Sequence, residues 1–113
     1  MSKKITTNNI LFLRLPKALF NGKYNISLTA KVLYAFLLDR LNASPHNKTN
    51  DANGKPFITF TIEEAMRLLH CSKGTSVKAF AELDSKSGLG LIKRKKRGQG
   101  HPDIIYVSEI IEE

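Results

Sequence analysis

The chain has 113 residues, the length of one domain, with enough interior to fold without disulfide or metal staples. Its 18 Lys and Arg against 10 Asp and Glu leave a net charge of +8 and a pI near 9.8, a balance suited to nucleic acid, anionic lipid or an acidic protein. The longest apolar run, Val32 to Leu38, is seven residues against the roughly 20 of a bilayer span, and Ile10 to Leu13 is too short for the core of a secretory signal, so a cytoplasmic protein without membrane contact is expected.

Taken in chain order, residues 1–9 and 109–113 are expected to be flexible ends of a single domain spanning 1–113. The Ile10 to Phe20 segment is expected to cover part of a central helix running from about residue 29 to 42, which Ser27 or Thr29 can cap. Val32, Leu33, Tyr34, Ala35, Phe36, Leu37, Leu38 and Leu41 encircle that helix, so it must be covered on nearly all sides, and a second subunit is a further candidate for that cover. Asn42 to Lys55, rich in Asn, Asp, Lys and Pro, reads as a surface loop whose Asn53-Gly54 turn leads into a short strand at 56–60. Thr61-Ile62-Glu63-Glu64 has the form of a capping box opening a second helix to about His70. Cys71-Ser72-Lys73-Gly74 is the short Gly-containing turn of a helix-turn-helix, and a third helix is predicted over about 73–86. Val77, Phe80, Ala81 and Asp84 share one side of it at helical spacing, with Leu83 close by. Thr75, Lys78, Ala79, Glu82 and Lys86 lie opposite, on the face expected toward a DNA major groove. Gly88 and Gly90 end the helix and lead into a basic hairpin over 91–107.

This order predicts an α+β fold, a winged helix-turn-helix of three core helices with a C-terminal β-hairpin wing and an N-terminal extension. The candidate contacts to double-stranded DNA follow from it. Ser72 and Lys73 stand at a helix N-terminus, where free amides and the helix dipole favour anions. Thr75, Ser76 and Lys78 extend that surface. In the wing, Lys93, Arg94, Lys95, Lys96 and Arg97 with Gln99 and His101 of the turn suit phosphate, because each phosphate neutralised releases a counterion. Protonation of His101 would add a further charge there. The bland alternative is a solvated edge strand whose charges discourage aggregation. Glu82 either accepts from a cytosine amino group or keeps DNA away from its turn, and the second is preferred.

Other motifs fall away. His70-Cys71 offers two of the four ligands zinc needs, and Asp51-Ala52-Asn53-Gly54 would put Phe60 where a calcium loop needs its bidentate Glu. No Ser-His-Asp, Cys-His or paired-carboxylate set is compelling, so neither catalysis, cofactor nor metal is expected. A transcription regulator, or a protein-interaction module using the basic surface for an acidic partner, shares this composition and fold.

Leu15-Pro16-Lys17-Ala18-Leu19-Phe20, Ala30-Lys31-Val32-Leu33-Tyr34 through Leu38-Asp39-Arg40-Leu41, Phe60-Thr61 with Glu63-Glu64, and Gly90-Leu91-Ile92 through Pro102-Asp103-Ile104-Ile105-Tyr106-Val107 occur in order over most of residues 10 to 108. Together they resemble the N-terminal domain of the plasmid replication initiator protein A family. The resemblance implies a winged-helix domain that binds repeats at a plasmid origin, as a homodimer, with host replication proteins engaged through a further C-terminal domain. The chain, ending at Glu113, would then carry the DNA-binding half. It departs from the family at Thr49 or Asn50, where an aromatic is common, and at Arg97, Gln99 and His101, where Gln, Leu and Lys are common.

Overall fold

A computed structural model describes residues 13, 15–20, 22, 24–42, 49–84, 88–96 and 98–110. The central helix α1 (Leu28–Leu41) is capped by Ser27, whose backbone is extended and whose Oγ accepts from the Ala30 N–H at 3.1 Å. Ala30, Leu33, Tyr34, Ala35, Leu37 and Leu41 are buried along it, and Val32, Phe36 and Leu38 are half-buried. Covering this near-complete apolar girdle takes several neighbours, and packing against α1 are both other helices, a strand of the central sheet and the last strand of the wing. The N-terminal segment adds Leu19, fully buried in a 3-10 turn at Lys17–Phe20, while the Lys31 ammonium lies 4.4 Å from the Phe20 ring centre. Each fully buried Leu or aromatic of this kind stabilises the fold by about 1.5–3 kcal/mol over its exposed state.

The expected loop after α1 is partly a hairpin. Thr49–Asn50 forms β1, antiparallel to β2 (Pro56–Thr59), with Thr49 opposite Phe57 and Asn50 opposite Pro56. Asp51 organises the turn: its Oδ1 accepts from the Asn53 and Lys55 N–H groups, each at 2.9 Å, and its carbonyl from Gly54 N at 2.9 Å. Gly54 sits at φ +80, a conformation L side chains avoid. A two-residue strand is too short to show a period of two, which is why the sequence reads as loop there.

Helix α2 (Ile62–Leu69) opens on the predicted capping box, Thr61 Oγ1 accepting from Glu64 N at 3.1 Å and Glu64 Oε1 from Thr61 N at 3.2 Å. Arg40 reaches across from α1, donating to Glu64 Oε2 at 2.7 Å and to the Thr59 carbonyl at 3.0 Å, with its guanidinium 4.7 Å from the Phe60 ring centre. Burial pushes the Glu64 carboxyl up, but the Arg40 and Thr61 hydrogen bonds outweigh it and hold the group below its ordinary value. His70 ends α2 in the left-handed region, φ 51, turning the chain into α3 (Lys73–Leu83).

The buried stripe of α3 is Ser76, Ala79, Phe80 and Leu83. This corrects the predicted register by one residue: Val77 is 46% exposed and Ala79 only 1%. The small side chains at 76 and 79 let α3 approach its neighbours closely, while Phe80 fills the space beside Phe60, ring centres 6.3 Å apart. The helix also stops at Leu83, short of the predicted 86, because Asp84 is extended and forms an isolated parallel bridge to Ile92. Lys86 lies outside the described residues.

The wing is β3 (Ile92–Lys95) and β4 (Ile104–Val107), antiparallel from Ile92 opposite Val107 to Lys95 opposite Ile104. The sheet order is β1-β2-β4-β3, so β3 is an edge strand, bridged at Ile92 to Asp84, and β4 is shared between wing and β2. At the end of β4 the Tyr34 hydroxyl donates to the Ser108 carbonyl, and Ser108 N donates to the Leu91 carbonyl at 2.9 Å. Burial pushes the Tyr34 phenol up to about 12. The architecture is the predicted winged helix-turn-helix, with α1 packed against β2 and β4 of a small antiparallel sheet and α2 and α3 packed on α1 and on each other.

Candidate nucleic-acid interface

The first turn of α3 is its most open part. Ser72 caps the helix, its Oγ accepting from Thr75 N at 3.2 Å and donating to Thr75 Oγ1 at 3.0 Å, so both hydroxyls are used in shaping the turn. Ser72, Lys73, Gly74, Thr75, Val77 and Lys78 are all exposed. Lys73 and Lys78 make no ion pair among the described residues, which leaves two cations on the outside of the helix-turn-helix. Ser76, predicted to join them, is 0% exposed, and its hydroxyl lies 3.1 Å from Cys71 Sγ. It lies on the buried stripe and cannot reach a duplex. Glu82 is held within the fold: Oε1 accepts from Ser27 N at 2.8 Å and Oε2 from Ser27 Oγ at 2.7 Å, so its charge sits at the N-terminus of α1.

In the wing, the alternation of a strand divides the basic run between two faces. Lys93 and Lys95 are exposed on the face shared with Tyr106 and Ile104, their partners in register. Arg94 points the other way, toward α3, where its Nε pairs with the Asp84 carboxylate and its guanidinium lies 5.6 Å from the Phe80 ring centre. Asp84 is 5% exposed. Arg94, predicted as a phosphate contact, is therefore a strut that fastens the wing to the end of α3, since a period of two cannot place Lys93, Arg94 and Lys95 on one surface. Lys96, Gln99 and His101 are exposed around the turn, which the His101 N–H closes onto the Gly98 carbonyl at 3.3 Å. Arg97 lies outside the described residues.

The β1–β2 hairpin adds a cation that the sequence reading passed over. The Tyr106 hydroxyl donates to Asp51 Oδ2 at 2.8 Å, and the Lys55 ammonium lies 4.7 Å from the Tyr106 ring centre, on the strand position opposite Lys93. The Lys55 N–H and the Tyr106 hydroxyl hold the Asp51 carboxyl below its ordinary value, and the same bond raises the Tyr106 phenol. Asn53-Gly54 places Lys55 at the foot of a hairpin, but its approach to the wing depends on a pairing remote in sequence. Val77, expected on the side away from the duplex, is exposed on the outside of α3. The arrangement offers an exposed helix turn with two cations and a rigidly tethered basic edge strand, with no helix among the described residues long and apolar enough to cross a membrane.

Over residues 11–113 the chain matches the family model described as "Replication initiator protein A (RepA) N-terminus". It is similar to a solved structure described as "N-Terminal domain of DNA binding protein", with 29% identity, 100% of this chain and 88% of that chain covered, and a TM-score of 0.74. It is similar to another described as "Structure of Rep-DNA complex", with 30% identity, 98% and 88% covered, and a TM-score of 0.74. A third, "Structure of MDR initiator", shares 24% identity over 98% and 89% at a TM-score of 0.72, a likeness that bears on the fold alone. No curated protein matches the chain.

Proposed function

Because the chain belongs to the replication initiator protein A family, as the N-terminal domain matched over residues 11–113, we propose that it binds repeated sequences in the double-stranded DNA of a plasmid replication origin. In this reading α3 enters the major groove by its first turn, and the wing lies on the adjacent backbone or minor groove. The observation that carries it is the pair of outward lysines, Lys73 and Lys78, on a helix whose angle to the basic wing is fixed by Arg94 and Asp84. Lys93, Lys95 and Lys96 supply phosphate contacts along the edge strand of the sheet, with Gln99 and His101 at its tip. The role is binding and positioning, without catalysis. Two copies on a two-fold axis would engage half-sites about 34 Å or a multiple apart. The exposed apolar side chains of Phe20 and Leu28, 51% and 65% accessible, mark where we place that contact. Host replication proteins would be recruited through a domain that follows this one in longer relatives.

Selection of bound duplexes from a random DNA pool at about 150 mM salt tests the reading, because generic phosphate contacts are already weakened there. Recovery of one motif, found in regularly spaced copies at an origin, is the expected result. Recovery of no motif would leave a basic surface serving generic DNA or an acidic protein partner.

A further inference from the structure

The outward face of α3 has one sizeable apolar side chain. Val77, 46% exposed, shares a flank of the helix with Phe80 and Asp84 at i+3 and i+7. Those two residues are covered by Arg94 from the wing, and Val77 stands one turn beyond that cover, toward the N-terminus of the helix. Around it on the surface are Lys73 at i−4, Gly74 at i−3 and Lys78 at i+1, all exposed. At Gly74 nothing lies within 4 Å of where a Cβ would be, so the helix surface there is low and open. A β-branched residue in an exposed helix turn contributes nothing to helix formation relative to Ala, and at 46% exposure much of the Val77 side chain stays outside the core.

We propose that Val77 reads a thymine. A valine side chain has neither donor nor acceptor, so it cannot match the hydrogen-bonding edge of any base. The major groove presents one apolar group, the thymine C5-methyl, and a Val methyl packed against it favours T over C, whose amino group would be left without a partner. Lys73 and Lys78, on either side, hold the neighbouring phosphates and set the distance. This assignment rests on the reading of α3 as the major-groove helix.

The test uses the 113-residue chain, the duplex recovered by selection, and versions of that duplex in which each thymine in turn is replaced by deoxyuridine, which lacks only the methyl group. The expected loss at one position per half-site is about fourfold for the wild type, the value of burying one methyl group. Val77→Ala, at an exposed helical site where Ala is favoured, should bind the parent duplex more weakly and show no further loss with deoxyuridine at that position; its urea midpoint checks that the fold is retained. If no deoxyuridine substitution weakens wild-type binding, or if Val77→Ala shows the same loss, the assignment to Val77 is overturned while the DNA-binding reading stands. If selection yields no sequence, both are overturned.

Discussion

Arg40 joins three parts of the molecule with one guanidinium, donating to the Thr59 carbonyl and the Glu64 carboxylate while lying over Phe60. Since the folded Glu64 carboxyl is held below its unfolded value, its contribution to stability is complete above about pH 4.5 and is lost as pH falls through the depressed folded value. The unfolding free energy of the wild type, from urea titrations, should therefore drop more between pH 6 and pH 3 than that of Glu64→Gln, by about 1 kcal/mol at most for a pair whose Arg40 side chain is 38% exposed. Parallel pH profiles would refute this. Asp84→Asn should cost about 1–3 kcal/mol, less than for a fully buried pair because the Arg94 side chain is 31% exposed. Pairing it with Arg94→Met should restore part of the loss, and a purely additive double variant would show that the two residues are not coupled. At this scale the sequence was legible where a residue's role is local, as at Ser27, Thr61 and Ser72, whose caps form with neighbours three residues on. It was not legible for Ser76, Glu82 and Arg94, because their partners are fixed by packing between elements. The stripe Ser76-Ala79-Phe80-Leu83 competes with Val77-Phe80-Ala81-Asp84 in hydrophobicity, and close approach to the neighbouring helices decides between them.

The junction of α3 with β3 is fastened by backbone hydrogen bonds. Gly88 N returns to the Asp84 carbonyl at 2.8 Å and Leu89 N to that of Glu82 at 2.9 Å. A Cβ on Gly88 would fall 2.0 Å from the Glu82 carbonyl oxygen, a backbone atom that cannot swing aside. Gly88→Ala should cost about 3 kcal/mol, at the upper end for overpacking, and lower DNA affinity with it by releasing the wing from α3. A urea midpoint equal to the wild type would overturn that account of the turn. The three helices and the wing could be read from caps, turn residues and apolar spacing because each element carries its own punctuation. Strand β1 could not, since its two residues gain their conformation from β2. The division of Lys93, Arg94 and Lys95 between two faces was implicit in the alternation of a strand, but the charge run masks it when it is read as composition.

For the molecule as a whole, the charge of +8 becomes informative only once it is located. Lys73 and Lys78 stand on the helix-turn-helix, and Lys93, Lys95 and Lys96 on the edge strand of the wing and the residue after it, with Lys55 beside Tyr106. Lys73→Ala and Lys78→Ala should each weaken binding across sequences and lower the slope of log K against log salt by about one. Alanine at both positions with affinity and slope unchanged would remove α3 from the interface. The fold class and helix order were legible at this scale, whereas the docking of the β1–β2 hairpin onto the wing through Tyr106 and Asp51 was not, because it joins side chains far apart in the chain. Tyr34 lies in the middle of α1, and its hydroxyl holds the Ser108 carbonyl while the Ser108 N–H holds Leu91. The far end of the wing is thereby moored to the innermost helix. Ser108 is thus held on both sides, by its carbonyl from the core and by its N–H from the residue that opens the wing, so the open end of the β3–β4 ladder is anchored from within the molecule as well as along the sheet.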